Sequence, residues 1–375
     1  LNSNISEEQL NYYVQVIISR ILFVRILEDL HLEPYGELND FLINSDISFW
    51  ENFQKNSTNT YLNKYDGALF TEILPMFELP NSLFEEFIFN LYGDSPYRFD
   101  VIKPSLIAEI YDVFLGDKLV VEGQKVKIIQ KILSPEGSVP TPSEVSDYIC
   151  KTTINLDGIN SVDTLLSLKV IDPCVGSGTF LVSAFEILSE KFKELRNVPT
   201  LNYIELKSIV VNCLFGVDID DLALEVLKMT MSIRLVSSDY LLNEPIEKLL
   251  SEFSENFRLG NTIVQEDALD LDEEHYFQIP TDYQDLFPEI MSEGGFDYLI
   301  GNPPYVEPKH FKDKFPKTLT YLKNKYVSKA GKSDISLFFI ERFFSLINEN
   351  GQIGIITQNR FFKTEYGIPL QLSLI

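Results

Sequence analysis

Asn302 and Tyr305 sit three positions apart at the end of the stretch FDYLIGNPPY, residues 296–305. The apolar run leads straight into Asn302-Pro303-Pro304-Tyr305. Each proline fixes its own φ and pushes the residue before it toward extended conformations. The turn is therefore stiff, and it presents a carboxamide and an aromatic ring where an apolar strand leaves its sheet. A group that needs a planar acceptor beneath an aromatic lid would find both here. A rigid turn that merely closes a buried strand would look alike, so the reading depends on what else the chain supplies.

The elements that must position this turn are short β-branched runs separated by helical stretches. LKVIDP (168–173), LFGVDI (214–219), TIVQED (262–267), FDYLIG (296–301) and GQIGIITQ (351–358) read as strands, and 175–196, 221–236 and 334–348 as helices. Such alternation argues an α/β fold with a doubly wound parallel sheet. The first strand ends in Asp172-Pro173-Cys174-Val175-Gly176-Ser177-Gly178-Thr179-Phe180. Glycines at a strand-to-helix turn allow tight backbone and close approach of a ligand. Leu181 stands where a dinucleotide fingerprint needs glycine, and no Walker lysine follows, so the turn suits a nucleoside without a pyrophosphate. A tight turn with no ligand would show the same glycines. The second strand ends at Asp218, with Asp220 two residues on, where an acid commonly accepts from ribose hydroxyls. The third is expected to deliver Asp267, flanked by Asn261 and Glu266. Three successive strands would then end in a carboxylate at one sheet edge, where open α/β sheets bind ligands.

The N-terminal third reads as scaffold. Residues 7–30 carry apolar positions at helical spacing, interrupted by Arg20, Arg25 and Glu28. Residues 31–133 read as mostly helical, including a helix over 103–116 opened by Pro104 and closed by Gly116. SPEGSVPTPSE (134–144) marks a boundary. The expected organisation is a helical domain, 1–133, followed by a catalytic domain, 134–375.

Composition narrows the function classes. A net charge of −25 repels phosphate backbones and argues against autonomous, tight nucleic-acid binding. The charge is uneven. Residues 266–293 hold ten acids and no Lys or Arg, whereas 307–332, just after the proline turn, hold eight Lys against two acids. That stretch is either a solvated loop or a phosphate-contacting one. Cys150, Cys174 and Cys213 match neither a disulfide framework nor a zinc spacing, so a reducing, cytoplasmic setting and no metal are expected. No apolar run reads as a membrane span and no signal peptide is seen. His31, His275 and His310 are expected on surfaces or loops, and Trp50 in a core. Glu205-Leu206-Lys207 has a nuclease-like E-x-K form, but in a helix without a fitting upstream acid.

Together these motifs resemble the gamma class of adenine-N6 DNA methyltransferases, in particular the methylase part of type IIG restriction–modification enzymes. The likeness covers nearly the whole chain. DPCVGSGTF resembles the family's cofactor loop, VPTPSEVSDYI (139–149) the Thr-Pro element before it, and FGVDID the ribose-binding motif. The region of Asn261 and Asp267 resembles the adenine-ring motif, while KSDISLFFIERFFSLI (332–347) and ENGQIGIITQNRFF (349–362) resemble the later motifs. ISRILFVRILED and IAEIYDVFLG resemble the helical connector of those enzymes. The resemblance implies a Rossmann-like methyltransferase sheet and S-adenosyl-L-methionine as cofactor, bound by Thr141, Asp172, Cys174, Gly176, Gly178, Thr179, Asp218, Asp267 and Asn302. It implies methylation of a flipped adenine in double-stranded DNA, with Asn302, Pro303 and Tyr305 catalytic. A protein glutamine or an RNA base is the alternative acceptor, and a non-catalytic subunit that retains the fold is a third reading. In that family a nuclease precedes the connector and a target-recognition region follows the sheet. The chain is expected to lack both and to methylate DNA poorly unaided.

Overall fold

The computed structural model describes residues 5–43, 46–65, 68–71, 74–75, 78–92, 117–122, 125–130, 141–236, 250–268, 279–305, 312, 315–328, 335–359 and 363. The N-terminal helix α1 (Glu7–Asp29) opens on a capping box between Ser6 and Gln9. It packs with the short helices Glu37–Ile43, Phe49–Asn56 and Ser82–Tyr92 around Phe23, Phe49, Trp50, Phe53, Tyr61, Tyr65 and Phe70, all fully buried. Trp50 is thus core, as expected, and His31 is an exposed residue just past α1. His275, His310 and the helix expected over 103–116 lie outside the described residues.

Two expectations for this region need correction. First, residues Gln9–Asp29 do meet the length and hydropathy of a membrane-crossing helix. Their ions explain why the helix is a core element instead. Arg20 is fully buried and gives Nε to the Leu69 carbonyl at 2.6 Å. Arg25 pairs with Asp29 at 2.5 Å and lies against the rings of Tyr35 and Tyr92. Glu28, fully buried, accepts from the Tyr92 hydroxyl at 2.7 Å and from the Gly36 and Leu38 N–H groups at 3.1 Å. Charges buried with such partners belong to a packed interior, because an unpaired one would cost several kcal/mol. Second, the region is not all helical. Asp117–Glu122 (β1) and Lys125–Gln130 (β2) pair antiparallel as a hairpin. Asn11 of α1 ties it down, with its Nδ2 on the Leu119 carbonyl and its Oδ1 on the Leu119 N–H. The β-branched residues of DKLVVE and KVKIIQ are the local sequence signal for these strands.

Beyond the boundary, helix α2 (Ser143–Thr153) leads to β3 (Val170–Asp172), α3 (Thr179–Arg196), α4 (Tyr203–Cys213), β4 (Leu214–Asp218), α5 (Asp221–Val236) and β5 (Phe257–Leu259). β6 (Phe296–Gly301), α6 (Pro316–Lys325), α7 (Ser336–Phe343) and β7 (Ile347–Ile355) complete the sheet half. The five strands are all parallel and run β5-β4-β3-β6-β7. Alternate side chains go to opposite faces. Val170, Leu214, Tyr298 and Ile300 pack under α3, α4 and α5, whereas Ile171, Phe215, Val217, Phe296 and Leu299 pack under α6 and α7. The sheet is doubly wound, as expected.

The third strand, however, is not TIVQED. β5 lies earlier, at Phe257–Leu259, and the Asn261 carboxamide oxygen then accepts from the N–H groups of Ile263 and Val264, both at 3.1 Å. This local turn competes with strand geometry. Ile263 and Val264 are buried in the core rather than in a strand, so their apolar run misleads. β7 likewise begins four residues before the expected GQIGIITQ and ends three before its end.

Helix α5 serves two cores. Leu224, Leu227, Met231 and Leu235 face the sheet, while Leu222, Val226, Met229, Ile233 and Val236 complete the core of the N-terminal helices. Glu225 on the same helix accepts the Leu69 N–H at 2.9 Å.

Candidate active site

The strand order reverses between β3 and β6, since the chain builds outward through β4 and β5 before returning beside β3. Ligands of open α/β sheets bind outside the carboxyl ends of strands at this switch point. Asp172 ends β3 there and is 1% exposed, and its Oδ1 accepts the Cys174 N–H at 3.0 Å. Gly301 ends β6 directly across from it. A Cβ at Gly301 would lie 2.6 Å from Asp172 Oδ1 at φ +155°, so only glycine lets these strand ends approach. Sequence reasoning passed over Gly301, although it immediately precedes Asn302.

The glycine turn has the conformation its composition promised. Gly176 and Gly178 both have positive φ, +52° and +94°. A Cβ on Gly178 would overlap the Leu227 side chain of α5. Thr179, 4% exposed, opens α3. The turn is held from below: Val175 N–H bonds the Val217 carbonyl at 3.1 Å, and Thr262 Oγ1 donates to the Pro173 carbonyl at 2.5 Å. Cys174 is partly buried, and desolvation pushes its thiol well above the ordinary range.

Asp218 faces the turn from the end of β4. Its Oδ2 accepts the Gly176 N–H at 2.8 Å and its Oδ1 the Asp220 N–H at 3.0 Å. Burial, and secondarily the charge of Asp220, push this carboxyl up to about 6, while the backbone bonds pull it back down. Asp220 has separate work. Its Oδ1 accepts from Leu222 and Ala223 N–H at 3.0 and 3.3 Å, which caps α5.

Asp267 is not where it was expected. It lies in the 3-10 turn Glu266–Ala268, eight residues beyond the end of β5. Its side chain is 54% exposed and accepts from Lys325 Nζ at 2.5 Å and from the Tyr321 hydroxyl at 2.6 Å. Lys325 first, then Tyr321, holds this carboxyl below its usual range. Both partners are on α6, which also exposes Lys317.

At the proline turn, Pro303 is buried and Asn302 and Tyr305 are partly exposed. Asn302 Nδ2 donates to Thr141 Oγ1 at 3.1 Å, and Thr141 is 6% exposed. The Tyr305 hydroxyl lies 2.7 Å from Asn302 Oδ1 and 2.8 Å from the Ile356 carbonyl. Thr141 reaches the turn because α2 docks on α3, through Ser146 and Ser183 hydroxyls 2.9 Å apart and the Cys150 thiol against the Phe180 carbonyl. Glu205, by contrast, is consumed by helix capping: its carboxylate accepts the Asn202 N–H at 3.0 Å. The turn, the glycine loop and Asp218 thus converge at the switch point, and Asp267 stands apart on α6's flank. The residue that sequence reasoning could not link was Thr141 to Asn302, 161 positions apart.

The chain is similar to several known proteins. Over its whole length the chain is 28% identical to the type II restriction enzyme and methyltransferase RM.Eco57I of Escherichia coli, of which it spans 38%. It is 27% identical over 63% of its length to the type II methyltransferase M.BstVI of Geobacillus stearothermophilus, of which it spans 36%. The fold is that of the type IIL restriction–modification enzyme MmeI, solved in complex with DNA, at a TM-score of 0.62 and 15% identity. That match covers 96% of this chain and 50% of MmeI. A model described as Eco57I restriction-modification methylase matches residues 212–373, which include Asp218 and the Asn302–Tyr305 turn. This part of the chain is thus similar to the Eco57I restriction–modification methylases.

Proposed function

We propose that the chain is the catalytic part of an adenine-specific DNA methyltransferase that uses S-adenosyl-L-methionine and acts in a restriction–modification system. The observation that carries this reading is the Asn302 carboxamide directly past the end of β6, which pairs with β3 at the switch point, held between the Thr141 hydroxyl and the partly exposed Tyr305. The residues fit a nucleoside cofactor. The positive-φ glycines bring backbone close to any ligand there, and Asp218 is a carboxylate whose remaining lone pairs suit ribose hydroxyls. When bound, that cofactor supplies an electrophilic methyl group.

The chain's own residues then have distinct tasks. An aromatic amine is a poor nucleophile because its lone pair is delocalised into the ring. Asn302 Oδ1 and the Pro303 carbonyl are two acceptors for the two amine hydrogens, which favours a tetrahedral nitrogen with its lone pair exposed. The amine would take over the place that the Tyr305 hydroxyl holds on Oδ1. No strong base is needed, since positioning and electrostatics do the work. The Tyr305 ring suits stacking on an extruded base, worth about 1–3 kcal/mol, against the few kcal/mol that flipping costs. Exposed Lys317 and Lys325 on α6 give the face after the proline turn a local positive charge that suits phosphate contacts, although Lys325 is engaged with Asp267.

We assign residues 1–133 to a connector domain and 134–375 to the methyltransferase domain. We also place the protein in the reducing cytoplasm, where Cys150, Cys174 and Cys213 remain thiols. The decisive experiment offers radiolabelled cofactor and the full-length protein to DNA, RNA and protein acceptors, with Asn302→Ala as control. Label in DNA adenine that is lost in the variant is expected. Label in protein but not in DNA would overturn the reading.

A further inference from the structure

We propose that Thr141 is a positioning residue that holds the Asn302 carboxamide by its nitrogen and so turns its oxygen toward the substrate. The inference rests on the reading of Asn302 as the acceptor for the target amine. A carboxamide has two ends of nearly equal shape and opposite hydrogen-bonding sense. Only the oxygen can receive an amine hydrogen, so a reversed Asn302 would present two hydrogens to the substrate and repel it.

The side chain is bracketed by two hydroxyls. Thr141 Oγ1 accepts from Nδ2 at 3.1 Å on one side, and the Tyr305 hydroxyl meets Oδ1 at 2.7 Å on the other. Both hydroxyls could in principle reverse together, with Thr141 donating to the oxygen and Tyr305 accepting from the nitrogen. What separates the arrangements is where each hydroxyl's single proton goes. Tyr305 has a second acceptor in the Ile356 carbonyl at 2.8 Å, so its proton can leave Asn302 when an amine arrives. Thr141 keeps the productive arrangement as long as its own proton is given to something other than Asn302, because its oxygen then can only accept. Its position is firm. It is 6% exposed, it directly precedes Pro142 at the head of α2, and α2 is locked to α3 and β7. A Cβ on Gly354 of β7 would overlap Thr153 at the far end of α2. Ile356 is fixed in turn, its N–H bonded to the Gly301 carbonyl at 3.1 Å. Tyr305 thus has a second acceptor to turn to, whereas Thr141 stands fixed beside the Asn302 nitrogen.

The test uses full-length protein and four variants, with cofactor affinity read by calorimetry and kcat by methyl incorporation into DNA. Thr141→Val keeps the shape and removes the acceptor. It is expected to lower kcat by more than tenfold, well beyond any change in the S-adenosyl-L-methionine Kd, because the reversed amide is counted only in the methyl transfer. Thr141→Ser, which keeps the hydroxyl, is expected to restore kcat to within about threefold of the parent. Tyr305→Phe, which keeps the ring, is expected to lower kcat less than Thr141→Val. A Thr141→Val variant with unchanged kcat would overturn the inference, as would one that loses cofactor affinity in proportion to activity, or a Thr141→Ser variant as poor as valine. Asn302→Ala separates the two levels. If it retains methylation, the reading of the site itself fails; if it is inactive while Thr141→Val is normal, only the positioning role fails.

Discussion

Asp218 and Asp267 are the same residue type in two regions that the sequence presents as equivalent, and the structure sets them in opposite surroundings. Asp218 is half-buried at the end of β4. Its neighbours are backbone N–H groups and another acid, and its carboxyl rises to about 6. Asp267 is 54% exposed and is already matched by Lys325 and Tyr321, which lower it. A half-buried carboxylate without a cation gains from donors that a ligand brings. One that already holds a lysine gains little, because a new donor only replaces an old one. Position after a strand therefore says less about ligand binding than the partners a carboxylate has already acquired.

The largest expected effect follows from Asp218. Two hydroxyl bonds to a charged group at about 1.5–3 kcal/mol each put the loss of cofactor affinity in Asp218→Ala at about a hundredfold or more, read by calorimetric titration. Unchanged affinity would remove Asp218 from the site. The next is pH. A cofactor hydroxyl needs an ionised acceptor, so affinity should hold above the Asp218 value of about 6 and fall about tenfold for the next unit below it. Asp218→Asn should flatten that limb. The sign for the cofactor-free protein is opposite. A carboxyl raised by folding binds its proton more tightly in the folded state, so stability should decline as pH rises from the ordinary carboxylate range to about 6. Asp267→Ala should change cofactor affinity less than about fivefold, in line with the roughly 0–1 kcal/mol of an exposed ion pair. A loss as large as that of Asp218 would collapse the comparison. The smallest effect is Lys325→Met, expected to change stability by no more than about 0.5 kcal/mol near neutral pH. A lowered carboxyl stabilises above its unfolded value and loses that contribution on acidification, so even this difference should vanish in urea melts at low pH.

Much of the sheet half was legible because its signals are local. The strands at 170–172, 214–218 and 296–301 are continuous buried runs, and the glycine turn and the proline turn carry their backbone requirements in their residue types. The third strand was not. Ile263 and Val264 have strand-like composition, but one carboxamide, Asn261, bends the chain there, while the true strand FRL is short and carries an arginine. The hairpin of β1 and β2 was lost inside a helical expectation, since its anchor is Asn11, more than a hundred positions away. The site was readable as separate motifs, yet its wiring was not. Which hydroxyl Asn302 meets, and that Asp267 is spoken for by α6, are properties of distance in space.

Helix α5 bears on how the protein can be divided. The proposed boundary falls at 134–144, but α5 lends one face to each interior. A sheet half released by cutting at that segment would turn Leu222, Val226, Met229, Ile233 and Val236 toward water as one apolar stripe. The other face of the same helix presses Leu227 onto Gly178 in the glycine turn. The N-terminal helices therefore support the glycine turn at one remove, and trimming them away should loosen that turn before it touches any of its residues.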